Sequence, residues 1–307
     1  MPPQDAEETL KALARENLAK TGMATINAAG GKLDWLAEIR GLAVMLLAVL
    51  AFHSFIAKPF YIPSGSMLPG LWVGDHLVVN KFAYGWNWSS PSFHVLPRGN
   101  WRILGRTPDY GDVVIVVPRG RNEDYIKRVV ARPGDRIALV NGQIVLNGKR
   151  VPQTLLPSVR LPIDAMQSSE DPIPCDDWHL VREASGRQVC EVPALRETMP
   201  NGASYTLLNY RENAQTETMA EITVPAGHVF VMGDNRNNSA DSRVALADGG
   251  LGGPVPLSDV GGRAEFLTYS LDGTLGWNPL SWIRGLRSGR AWRSLRPPID
   301  PSAAQQH

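Results

Sequence analysis

Cysteine is scarce: Cys175 and Cys190 are the only two in 307 residues, too few for a disulfide scaffold. Net charge is nearly absent as well. Thirty-one basic residues against thirty acidic ones leave +1, which gives no electrostatic reason to expect a nucleic-acid partner. Long helical periodicity is missing after residue 60, while glycine (29) and proline (24) are plentiful. That combination suits a turn-rich β protein and argues against a helical bundle. Long apolar runs are missing with one exception, "GLAVMLLAVLAFHSFIA" at 41–57, uncharged between Arg40 and Lys58. With "WLAEI" before Arg40 it reaches the roughly 20 residues that a membrane span needs. A buried soluble helix is the competing reading. A cleaved leader fits less well, because the run begins only after forty mostly polar residues. We read residues 35–57 as a single anchor.

Lys32 and Arg40 on one side against Lys58 on the other give a small positive-inside bias. Residues 1–34 are then a cytoplasmic tail, with a charged helix-like stretch at 6–20, and residues 58–307 lie outside, where disulfides persist.

Beyond the anchor the period changes to two. "DHLVVNKFAYG", "GDVVIVVP", "RIALVNGQIVLNGKRV" and "GHVFVMGDN" read as β-branched strands. Asn141-Gly142 and Asn147-Gly148 are preferred hairpin pairs. The expected fold is mainly β: one N-terminal transmembrane helix, then an antiparallel β-sheet core with a β-rich insertion. The core takes 58–135 and 222–296, with an irregular tryptophan-bearing extension at 86–111. The insertion takes 136–221, and 297–307 form a C-terminal tail.

Histidine is poorly placed for chemistry. His53 lies in the anchor, His307 near the end, and His76, His94, His179 and His228 sit in no recognisable catalytic setting. A Ser-His-Asp triad stays open, since its members need not be close in sequence. Lysine is the other base. In "DYIKRVVARPGD" (124–135) Tyr125, Lys127 and Val129 share one strand face. An inward lysine there is desolvated and loses pKa, so its neutral amine can take a proton from a hydroxyl such as Ser66 in "IPSGSMLPG" (62–70). The third stretch, "MGDNRNNSADSR" (232–243), offers Ser239 to the lysine and Asp234, Arg236, Asp241 and Arg243 for ion pairs.

Together with the anchor, "IPSGSMLPGLWVGDHLVVNKFAYG", "GDVVIV", "DYIKRVVARPGD" and "MGDNRNNSADSR" occur in the order found in the type I signal (leader) peptidases, which this chain resembles over about half its length. One departure is Asn237, where that family usually has Asp. The resemblance implies a membrane-bound serine endopeptidase with Ser66 as nucleophile and Lys127 as general base. It implies that Ser64 and the Ser66 backbone N–H hold the oxyanion, and that Ser239 orients the amine. Phe60, Ile62, Met67, Leu71, Tyr125 and Ile126 match its substrate pockets, and Arg128, Gly233, Asp234, Asn235, Arg236, Asp241 and Arg243 its supporting loop. The implied partners are signal peptides of exported preproteins, cut after small residues at −1 and −3, and the lipid bilayer. The implied location is the bacterial inner membrane with the catalytic part outside. No motif implies a cofactor or metal. A specialised maturation peptidase and a non-catalytic peptide-binding β domain are the alternatives.

Cys175 and Cys190 can close a loop as a disulfide, stay as thiols, or, with His179 and Asp176, hold zinc, although their spacing fits no usual zinc site. "WIRGLRSGRAWRSLR" (282–296), with arginine every third residue, reads as a solvated basic tail or a lipid contact.

Overall fold

The computed structural model describes residues 35–91, 96–166, 175, 179–184, 186, 188–209, 214–274, 276 and 278–301. The tail 1–34, with the charged stretch 6–20, lies outside them, as do His94, Asp176 and His307.

The apolar run forms a helix, Trp35–Phe55, long and apolar enough to cross a membrane. Its Leu36, Val44, Leu47 and other large side chains are exposed, which is what a lipid-facing helix presents.

Residues 50–307 make a compact unit of their own. Its main sheet has seven strands: β1 (Ala57–Tyr61), β2 (Asp75–Asn80), β3 (Val113–Val116), β4 (Tyr125–Ala131), β13 (His228–Met232), β14 (Val255–Pro256) and β15 (Val260–Ser270). Their order is β1-β2-β15-β3-β4-β13-β14, with every neighbouring pair antiparallel. β1 is therefore an edge strand, paired on one side to β2. Alternation gives the sheet two apolar faces. Val114, Val116, Val129 and Val231 pack on one, and Val113, Ile115 and Ile126 with Ile62, Met67 and Leu77 on the other.

Between β4 and β13 the chain adds two smaller sheets. β12 (Met219–Thr223), β5 (Arg136–Val140), β6 (Gln143–Leu146) and β7 (Lys149–Arg150) form one, in that order. Asn141, Gly142, Asn147 and Gly148 all take positive φ, as the two tight hairpins require. The other sheet orders β11 (Ser204–Leu207), β10 (Gln188–Thr198) and β8 (Gln153–Pro162), with β9 (Leu180–Arg182) paired to β10. Ile137, Leu139, Ile144 and Leu207 from these sheets share a hydrophobic cluster with Val130, Ala131, Phe230 and Met232 of the main sheet. Cys175 and Cys190 are joined by a disulfide.

The described C-terminal residues are held to the rest of this unit. Ser204 and Asp300 donate backbone hydrogen bonds to Pro298 and Gly202. Arg287 reaches Asp164, and Arg290 is buried against Asp75 over the face of Trp72. Spacing along the sequence does not reveal the carboxylates that wait for these arginines more than a hundred residues away.

Candidate active site

Pro63 and Pro69 flank a single 3₁₀ turn, Gly65–Met67, entered through an extended Ser64. The turn carries Ser66 to the middle of β4, where Lys127 stands opposite Val114 of β3. Lys127 Nζ donates to Ser66 Oγ at 2.9 Å. Ser64 Oγ lies 3.4 Å from Ser66 Oγ. The lysine is 4% exposed and the serine 7%, so the ammonium has almost no water to solvate it. Burial is the largest influence on the amine and brings its pKa down to about 8, with Asp241 pulling it up and Arg243 pushing it down. The Tyr125 ring lies 5.2 Å from Nζ.

The loop after β13 holds this turn from behind. Asn235 donates its backbone N–H to Ser66 O and its side-chain amide to Gly65 O. Arg243 grips both oxygens of Asp241, and Asp241 accepts from the Gly233 N–H. Gly233 admits no side chain, because a Cβ there would stand 2.2 Å from Ser239 Oγ and 2.5 Å from Ser66 O. Ser239 Oγ is buried and makes no hydrogen bond to any described residue. Asn237 donates to Asn209 Oδ1 at 3.0 Å.

The residues matched to substrate pockets divide in two. Ile62, Met67, Leu71 and Ile126 are buried in one cluster with half-buried Phe60 against it. Ile126 lies on the face opposite Lys127, so its side chain is core beneath the strand. Tyr125 lies on the Lys127 face, and its hydroxyl donates to Gly249 O.

Three features escaped the sequence reading. Glu197 on β10 is fully buried between Arg236, Tyr205 and Gln153. Burial alone would raise its carboxyl, but the Arg236 guanidinium overrides this and holds it below the ordinary range. Lys58 of β1 reaches Asp124, just before β4, at 2.9 Å. Lys81 is buried, with its pKa brought down to about 8 by desolvation and then by Lys58. Only the isolated lysine in "NKFAYG" could have drawn notice to it.

Among the described residues no histidine hydrogen-bonds to Ser66 Oγ. His76 stacks on Tyr269, and His228 Nδ1 lies 3.0 Å from Ala226 O. The side-chain partners of Ser66 Oγ are Lys127 and Ser64.

Comparison with known proteins gives a consistent result. Signal peptidase I of Rickettsia akari (strain Hartford) is 29% identical over 82% of this chain and 90% of its own. Signal peptidase I of Pseudomonas aeruginosa is 35% identical over 65% of this chain and 59% of its own. The solved structure of a signal peptidase I from Enterococcus faecalis V583 is 20% identical, covers 52% of this chain and 97% of that one, and superposes with a TM-score of 0.25. The sequence model of one family, "Signal peptidase, peptidase S26", matches residues 35–269, well over half the chain. The chain therefore belongs to the signal peptidase family, peptidase S26, and is a serine endopeptidase.

Proposed function

We propose that the chain removes signal peptides from exported preproteins, with Ser66 as nucleophile and Lys127 as general base. The observation that carries this reading is the 2.9 Å contact between a buried amine and the hydroxyl. With a pKa of about 8, roughly a quarter of Lys127 is neutral at pH 7.5, against about 0.1% for an ordinary lysine. A neutral Nζ accepts the Ser66 proton as Oγ bonds to the scissile carbonyl carbon. The protonated amine then gives that proton to the departing amine of the mature chain. Water attacks the acyl-enzyme, Lys127 takes its proton, and Ser66 is regenerated.

In this reading the Ser64 hydroxyl and the Ser66 backbone N–H stabilise the oxyanion. Ser239 turns its hydroxyl toward the amine when substrate closes the site. The peptide adds as a strand between the free edge of β1 and the segment 124–126. Tyr125 and Phe60 line its pockets over a floor of Ile62, Met67, Leu71 and Ile126, and small residues at −1 and −3 fit. Eleven positions separate Phe55 from Ser66. A catalytic part outside the bacterial inner membrane would then meet a cleavage site just as it leaves the bilayer, with 1–34 in the cytoplasm.

The test uses the full chain in detergent and a preprotein with an Ala-X-Ala site. Ser66→Ala and Lys127→Ala should each lower kcat by at least 10³-fold with an unchanged circular dichroism spectrum. Cleavage persisting in Lys127→Ala would remove the proposed base.

A further inference from the structure

The reverse face of β4 opens onto a cleft of about 690 Å³ whose lining includes six arginines and a single carboxylate. Neighbouring residues of a strand point to opposite faces, so Arg128 faces this cleft while Lys127 faces the serine. Three of the arginines are neutralised: Arg128 by Asp234, Arg290 by Asp75 and Arg296 by Glu265. Arg160 comes only within 3.7 Å of Glu191. Arg196 on β10 and Arg293 near the C-terminus are exposed and have no carboxylate partner among the described residues. Positive charge therefore converges here in excess of the acids that could balance it.

Like charges brought together without a counterion repel one another, and an anion in the cleft relieves this. The donors are suited to one kind of anion. Guanidinium groups offer paired N–H bonds to a phosphate, and Ser204, Thr206 and Ser294 belong to the same lining. Arg128 and Arg290 lie over the rings of Tyr205 and Trp72, at 4.2 and 3.9 Å, and are fixed by their ion pairs, so the wall is already ordered. The volume exceeds a bare phosphate and leaves room for the group that carries it. We propose that this cleft is a binding site for a phosphate group, carried on an anionic lipid headgroup or free in solution. A ligand there does not meet the nucleophile, because Arg128 and Lys127 lie on opposite faces of β4.

The test measures Tm of the full chain in nonionic detergent at constant ionic strength. One arm adds inorganic phosphate in place of chloride. The second adds dihexanoyl phosphatidylglycerol, with dihexanoyl phosphatidylcholine as the control for its tails. Each arm is repeated on Arg196→Gln/Arg293→Gln. Both side chains are exposed, so the variant should fold and cleave peptide as the wild type does. At ten times Kd the wild type should gain about 3–6 °C, and the double variant should lose most of that gain. A shift with inorganic phosphate identifies a free-phosphate site, and one with phosphatidylglycerol alone a lipid site. No shift in either arm, or the same shift in the double variant, overturns the proposal.

Discussion

Arg128 and Asp234 meet in a two-pronged ion pair, with N–O distances of 2.7 and 2.6 Å, directly behind the strand position that holds Lys127. Both are buried, and Asp234 begins the loop whose next residue binds Ser66 O. Asp234→Asn leaves a guanidinium buried and uncompensated, which should cost about 3–5 kcal/mol. Urea unfolding of the full chain in detergent measures this. A loss below 1 kcal/mol would mean that water already reaches the pair.

The lysine sets a pH dependence. In the proposed mechanism cleavage needs the neutral amine, so kcat/KM should rise with pH through about 8 and fall about tenfold per unit on acidification below it. A profile controlled by a group near 6.5, and lost in a His76 or His228 variant, would transfer the base role to histidine.

Stability should respond to the same group with the following sign. Between pH 8 and 10.5 the unfolded chain holds a proton on residue 127 that the folded chain has released, so stability rises with pH across that window. Below pH 8 both forms are protonated and the burial penalty, about 3 kcal/mol, is present in full. Lys127→Met should therefore unfold at higher urea than wild type at pH 7, by about 1–3 kcal/mol after the lost hydrogen bond is counted. The advantage should shrink toward pH 10.

The disulfide closes a loop of 15 residues with Cys190 buried among Leu161, Val192 and Ala194. Reduction should cost about 3 kcal/mol in the chain-entropy model. Urea unfolding with and without reductant reads this.

What could be read in advance follows physical range. The strands around Val114, Val129 and Val231 were visible because β-branched residues recur over a few positions. The hairpins were visible because Asn-Gly is a local signal. The Ser66–Lys127 contact joins residues 61 positions apart, and strand alternation made Lys127 a candidate base that the resemblance of three short stretches to a family then paired with Ser66. β8 and β10 were hidden: Pro157 and Pro193 interrupt their patterns, and the register slips between Val192 and Ala194. Glu197 carried no local signal, since its partner Arg236 is 39 positions away. The arginines of 282–296 were read as a solvated basic tail or a lipid contact for the same reason, because nothing local signals Asp75 or Asp164.

The salt bridge from Arg290 to Asp75 has a temporal meaning. Asp75 lies at the start of the second strand, and its partner is translated more than two hundred residues later. Until that arginine leaves the ribosome, Asp75 lacks its guanidinium partner and keeps the Trp72 N–H from which it accepts. The main sheet thus gains one of its buried ion pairs only after its strand β15 has been translated.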